Sequence, residues 1–186
     1  PQSVTLYGKD KIVDELSEVT FNISDQSFYQ INSAQTEKLY QKAIDYAQLT
    51  GEEIVLDTYC GIGTIGLYMA PQAKHVYGVE VVPSAIKDAQ ENANKNQLNN
   101  TTFECGKAED VILEWKAQGI KPDVVMVDPP RKGCDETFIK TLLKLNPKRI
   151  VYISCNPSTQ QRDAQLLSDN YHLVEITPVD MFPQTT

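Results

Sequence analysis

Long hydrophobic runs are missing from this chain. No stretch approaches the ~18–20 consecutive apolar residues of a membrane-spanning helix, and the N-terminus lacks the basic-then-apolar order of a secretion signal. The expectation is a soluble, cytoplasmic protein that does not engage a membrane. Cysteine is scarce too: the four present, Cys60, Cys105, Cys134 and Cys155, are too few for a disulfide scaffold. Their wide spacing excludes paired zinc or iron–sulfur ligands, so they read as reduced thiols with no metal between them. Basic charge is in deficit, with 17 Lys and Arg against 25 Asp and Glu and a net charge of -8. Bulk electrostatic capture of nucleic acid needs clustered Lys and Arg, and that mode is excluded for this piece alone. RNA as a substrate stays open, through a local patch such as Arg131–Lys132 or through another domain.

What remains is ample for a fold: 186 residues, 41% of them hydrophobic, can bury a core without staples. From Ile54 onward the runs "EIVLDTY", "HVYGVEVV", "TTFEC", "DVVMVD", "RIVYIS" and "HLVEITPV" alternate with helical patterns, which predicts a mostly parallel, doubly wound α/β sheet. In "SAQTEKLYQKAIDYAQL", Leu39, Ala43, Tyr46 and Ala47 share a stripe, Asn32 and Ser33 can cap the start, and Gly51 is the expected stop. "PSAIKDAQENANKN" begins with a proline suited to a first turn. Further helices are expected around 108–118, 136–145 and 158–168. Residues 1–26 alternate around a Gly8 turn and read as a β-hairpin, the stub of a preceding domain; residues 27–186 form the α/β domain.

"LDTYCGIGTIG" follows the first core strand, and Gly61, Gly63 and Gly66 match the G-x-G-x-x-G pattern of nucleoside-cofactor loops, a weak signal by itself. Asp57 ends that strand and can either meet a methionine ammonium or organise the loop. Glu80 ends the next strand, where a carboxylate can accept from ribose hydroxyls, and Tyr59 can pack on the cofactor. Nicotinamide dinucleotide and S-adenosylmethionine both satisfy this much.

Ligands in open α/β sheets bind beyond the carboxyl ends of the strands, so the loops "DPPRKGCDE" and "SCNPST" should face the cofactor. Asp128 ends its strand, and the prolines after it, Pro129 first, make a stiff loop without N–H donors that suits a flat substrate. In the neighbouring loop Cys155 stands at a strand exit between polar residues. A thiol there can add to C6 of a pyrimidine and so make C5 nucleophilic enough to take a methyl group. Cys60 and Cys105 read instead as inert, buried thiols.

With these residues in view, the chain resembles the S-adenosylmethionine-dependent RNA (uracil-C5)-methyltransferases, of class I methyltransferase fold. The resemblance runs from about Ser27 to Thr186, through "SFYQINSAQTEKLY", "LDTYCGIGTIGL", "VYGVEVVPSAIKDAQENA", "VMVDPPRKG", "YISCNP" and "DMFPQT". It implies Cys155 as nucleophile, Gln30, Tyr59, Glu80 and Asp128 as S-adenosylmethionine contacts, and Phe28 stacking near the active site. Asp57, Gly61 and Gly63 complete the expected cofactor loop; Pro129 and Arg131 join Phe28 on the substrate side. The resemblance also implies a glutamate base and a last strand after Thr186, and an RNA-gripping domain outside this chain. The implied reaction is 5-methyluridine formation, in 23S rRNA ahead of tRNA. RNA cytosine-C5 methylation through Cys134, a nicotinamide-dependent oxidoreductase, and a binding module without chemistry are the alternatives.

Overall fold

A computed structural model describes residues 7–8, 11–25 and 27–185. Five strands form one parallel sheet: β3 (Ile54–Thr58), β4 (His75–Glu80), β5 (Thr101–Cys105), β6 (Val124–Val127) and β7 (Arg149–Tyr152), in the order β5-β4-β3-β6-β7. The crossovers are α2 (Thr64–Met69) with a short 3-10 turn, α3 (Pro83–Lys95), α4 (Ala108–Ala117) and α5 (Glu136–Leu145). This is the parallel, doubly wound sheet expected from the alternating runs, in the class I methyltransferase arrangement that the resemblance implies. Strand order reverses between β3 and β6, and the crevice for a ligand opens beyond their carboxyl ends.

Successive strand residues point to opposite faces, and both faces are covered. Val55, Val76, Val124, Met126 and Val151 pack under α1 (Ser33–Ala47), α2 and α3. Leu56, Val79, Val125 and Val127 pack against Ile112 and Trp115 of α4 and Phe138 and Leu142 of α5. Every residue of β6 is buried.

The hairpin β1 (Lys11–Leu16) and β2 (Val19–Ser24) contributes Leu16, Val19, Phe21 and Ile23 to the first of these cores. Its attachment to α3 is unusual in kind. The buried Asn92 accepts from Asn22 N (2.8 Å) and donates to Asn22 O (3.2 Å). One turn on, Asn96 does the same with Thr20 N (2.8 Å) and Thr20 O (2.7 Å). Two amides a helical turn apart thus satisfy backbone groups that would otherwise need a strand. Lys11 adds an ion pair to Asp88 (2.8 Å) and another to Glu91 (2.6 Å).

Three local expectations are corrected. Helix α1 opens at Asn32, whose side chain accepts from Gln35 N, but it stops at Gln48 in the left-handed region, before Gly51. "HLVEITPV" forms no strand: 171–180 carry no regular structure, and Leu173, Val174 and Ile176 are exposed. β-Branched residues make a strand only where a neighbouring strand takes their backbone groups, and this run has none among the described residues. It lies instead along α1, through Tyr46–Thr177 and Asn32 Nδ2 to Met181 O (3.0 Å). Cys105 is exposed, because it is the last residue of the edge strand β5.

Candidate active site

Three acids occupy the carboxyl ends of adjacent strands. Asp57 sits next to last in β3, Glu80 ends β4, and Asp128 follows the last residue of β6. Asp57 is 1% exposed; its Oδ2 accepts from Gly66 N at 2.8 Å, while its Oδ1 has no partner among the described residues. Gly66 makes this approach possible, since a Cβ there would lie 2.8 Å from Asp57 Oδ2 and 3.1 Å from Val76 Cγ1. Burial pushes the Asp57 carboxyl up to about 8, against the hydrogen bond from Gly66, with the Asp128 and Glu80 charges adding to the rise. Burial likewise pushes Asp128 up to about 6.

Glu80 ties the loops together. Its Oε1 accepts from Val81 N (2.7 Å) and Val82 N (3.1 Å), and its Oε2 accepts from Gly61 N at 3.3 Å. A carboxylate offers about four acceptor directions, so one on Oε2 is left for a ligand hydroxyl. Gly61 and Gly63 both carry the chain through positive φ, and Tyr59 shares that conformation at φ 61°. The Tyr59 ring packs edge-on against Phe138 of α5, with centroids 5.4 Å apart. From the opposite side the buried Tyr40 of α1 reaches Thr64, close enough to Asp128 and Asp57 to feel both charges. An orphaned buried carboxylate oxygen, two further acids and a glycine turn suit a ligand carrying a cation and hydroxyl donors. No cluster of His, Cys, Asp and Glu fit to hold a metal occurs among the described residues.

Cys155 lies one strand away. Parallel pairing sets Val127 beside Tyr152, and Ile153 N donates to Val127 O (2.8 Å), so the loops carrying Asp128 and Cys155 leave the sheet side by side. The thiol is exposed, at the tip of a tight turn. Asn156 N donates to Ser154 Oγ (3.0 Å), and the same hydroxyl donates to Asn156 O (3.0 Å). Asn156 then caps α6 (Pro157–Leu167) by accepting from Ser158 N (3.1 Å). The polar residues around Cys155 therefore build the turn that presents it. Cys134 is the reverse case: it is buried, its thiol approaches Tyr152 Oη (3.7 Å), and burial pushes it up to about 12.

Of the remaining expected residues, Pro129 is buried, Arg131 is exposed, Gln30 is half-buried and Phe28 is 78% exposed. Gln30 and Phe28 lie on the segment leading into α1 and are joined to the site by the resemblance, not by a contact with its carboxylates. The sequence reading missed the Asp163 side chain of α6, buried against the loop after Asp128; an Arg-Asp pair inside a polar helix was its only signal.

The sequence profile of the tRNA (Uracil-5-)-methyltransferase family matches residues 6–186. RNA methyltransferases of Staphylococcus epidermidis and Staphylococcus aureus are 86% and 83% identical over the whole of this chain, which spans 41% of their length. A crystal structure of Pyrococcus abyssi tRNA (uracil-54, C5)-methyltransferase with S-adenosyl-L-homocysteine superposes with a TM-score of 0.83. It is 37% identical, over 96% of this chain and 43% of that one. An Agrobacterium tumefaciens S-adenosylmethionine-dependent methyltransferase, 17% identical with a TM-score of 0.66, shares the fold. The profile match across nearly the whole chain decides the matter: this chain belongs to the tRNA (uracil-5-)-methyltransferase family.

Proposed function

We propose that the protein methylates C5 of a uridine in RNA, with S-adenosylmethionine as donor and Cys155 as covalent catalyst. The observation that carries this reading is the placement of Cys155: an exposed thiol on a built turn, beside the loop of Asp128. When bound, the cofactor supplies a methyl group on a sulfonium. Asp57, Glu80 and Asp128 would hold it, the unpartnered Oδ1 of Asp57 accepting from its ammonium and the free direction of Glu80 Oε2 from a ribose hydroxyl. The Cys155 thiolate adds to C6 of the uracil, which turns C5 into an enolate-like carbon able to take a methyl. A base, which the resemblance places after Thr186, then removes the C5 proton, and the C6–S bond breaks to release the thiolate. The uracil must leave its helical stack or come from a loop for the thiol to reach C6.

The site under the glycine loop favours S-adenosylmethionine over a dinucleotide. The unpartnered Oδ1 of Asp57 suits an ammonium donor, which a pyrophosphate lacks, and α2, six residues long, offers a pyrophosphate only a short helix. Cytosine methylation through Cys134 would need a buried thiol held near 12 to act as nucleophile. Transfer RNA stands level with 23S rRNA as substrate, given that the Pyrococcus relative is a tRNA enzyme.

The test uses the full-length protein and RNA carrying 5-fluorouridine. Fluorine cannot leave C5 as a proton does, so the adduct persists and survives denaturing electrophoresis. Wild type and Cys134→Ser should form it, and Cys155→Ala should not. An adduct in Cys155→Ala, or none in wild type, overturns the reading. Mapping 5-methyluridine in tRNA and 23S rRNA from cells with and without the gene assigns the substrate.

A further inference from the structure

The loops bearing Asp128 and Cys155 are far apart in sequence and belong to different crossovers, yet methyl transfer requires their side chains at one fixed separation. Backbone pairing registers the strands only as far as Ile153. Beyond that point the Asp128 loop runs through two prolines with no N–H to pair, and its position must come from elsewhere.

Helix α6, which starts directly after Cys155, supplies it. Asp163 is 0% exposed, and all four of its acceptor directions are used. Oδ2 accepts from Cys134 N (2.7 Å) and Tyr152 Oη (2.7 Å); Oδ1 accepts from Arg162 Nε (2.8 Å) and Nη2 (2.6 Å). Arg162 Nη2 also donates to Lys132 O (3.2 Å) and Cys134 O (3.1 Å). At the start of the helix, Asn156 Nδ2 (3.2 Å) and Thr159 Oγ1 (3.3 Å) donate to Arg131 O. Burial alone would push Asp163 up, but the bonds from Tyr152, Cys134 N and Arg162 outweigh it and hold the carboxyl below its usual range.

Gly133 shows how closely the two pieces meet. It lies at φ 78°, and a Cβ on it would stand 2.6 Å from Arg162 Nη2 and 2.7 Å from Asp163 Oδ2. The loop backbone thus closes directly onto the carboxylate. Asp163 is fully buried with every acceptor direction filled, although Arg162 beside it is half exposed; a buried, fully bonded carboxylate suits a fixture rather than a hinge.

We propose that Asp163 and Arg162 clamp residues 132–134 to the helix that follows Cys155, and so act as positioning residues that set the distance between the thiol and the Asp128 loop during methyl transfer. The inference rests on the proposed function and goes beyond it, because it assigns to both residues a part played through the loop backbone.

The experiment compares full-length wild type with Asp163→Asn, Arg162→Lys and Tyr152→Phe. It measures kcat and KM for RNA methylation, affinity for S-adenosylhomocysteine, thermal stability, and hydrogen exchange across 131–135. Asp163→Asn turns an acceptor into an N–H₂ that faces donors, so exchange at the Cys134 amide should quicken. Misplacing a reacting group by about 1 Å costs about 10²-fold in rate. A loss of that order in kcat is expected, with KM and cofactor affinity within about threefold of wild type. Arg162→Lys keeps the charge but loses the fork, and Tyr152→Phe removes one donor; each should lower kcat by a smaller factor in the same pattern. Exchange unchanged in Asp163→Asn, or kcat held while exchange quickens, overturns the clamp. If Asp163→Asn fails to fold, the two milder variants decide: kcat equal to wild type in both refutes the proposal. Loss of cofactor affinity in parallel with kcat marks a merely structural role and also refutes it. A wild type that methylates no RNA uridine defeats the proposed function itself, a result distinct from an active wild type with equally active variants.

Discussion

Replacing Asp57 with asparagine should change how the stability of the chain depends on pH, by an amount the structure sets. In the unfolded chain this carboxyl titrates near 3.9; in the fold, burial holds it up to about 8. Between those values the native state keeps a proton that the unfolded state has released, so stability falls as pH rises through the window. One proton of difference is worth about 1.4 kcal/mol per pH unit, so this group alone removes about 3 kcal/mol between pH 5 and pH 7. The substituted asparagine would still accept from Gly66 N, and its amide would occupy the unpartnered Oδ1 place at a pH-independent cost of about 1–3 kcal/mol. Urea unfolding of both proteins, followed by the fluorescence of the single, buried Trp115, gives each stability at pH 5, 6 and 7. Other titrating groups act in both proteins and largely cancel in the difference. Asp57→Asn should therefore gain on wild type by about 3 kcal/mol from pH 5 to pH 7. Parallel lines for the two proteins across that range would refute the assignment of a neutral, buried acid under the glycine loop.

Three further outcomes follow from the packing. Gly66→Ala places a Cβ 2.8 Å from Asp57 Oδ2 and should lower stability; a loss of about 1–3 kcal/mol is expected in the same urea assay. In the folded chain a disulfide reagent at pH 8 should modify two thiols quickly, Cys105 and Cys155, and reach Cys60 and Cys134 only after unfolding. Peptide mapping checks which ones react. Asn92→Ala leaves Asn22 N and O unpaired and should destabilise by about 1–3 kcal/mol, with hydrogen exchange quickening in β2 before it does in β3 or β6.

The sheet was legible because parallel strands buried on both faces must read as continuous apolar runs, and "VVMV" is buried at every position. The acids Asp57, Glu80 and Asp128 and the thiol Cys155 were legible for a related reason: each stands at or just past a strand's carboxyl end, where topology places ligands. What escaped depends on partners that sequence does not display. "HLVEITPV" has the composition of a strand but no neighbour to pair with here, and Cys105 sits at the end of an edge strand instead of inside a central one. Asp163 looks like a surface acid on a polar helix until the loop of Gly133 is folded against it. The αL stop at Gln48 escaped because glycine, three residues on, is the commoner signal for that conformation.

Asn92 and Asn96 also decide how the hairpin behaves toward other molecules. Because they occupy the outward amide and carbonyl groups of Thr20 and Asn22, the middle of β2 has no free backbone groups with which to recruit a foreign segment. The opposite rim, on β1, carries Asp14 and Glu15, whose charge discourages the same event there. Held this way, the β2 edge of the ribbon is a poor template for edge-to-edge association.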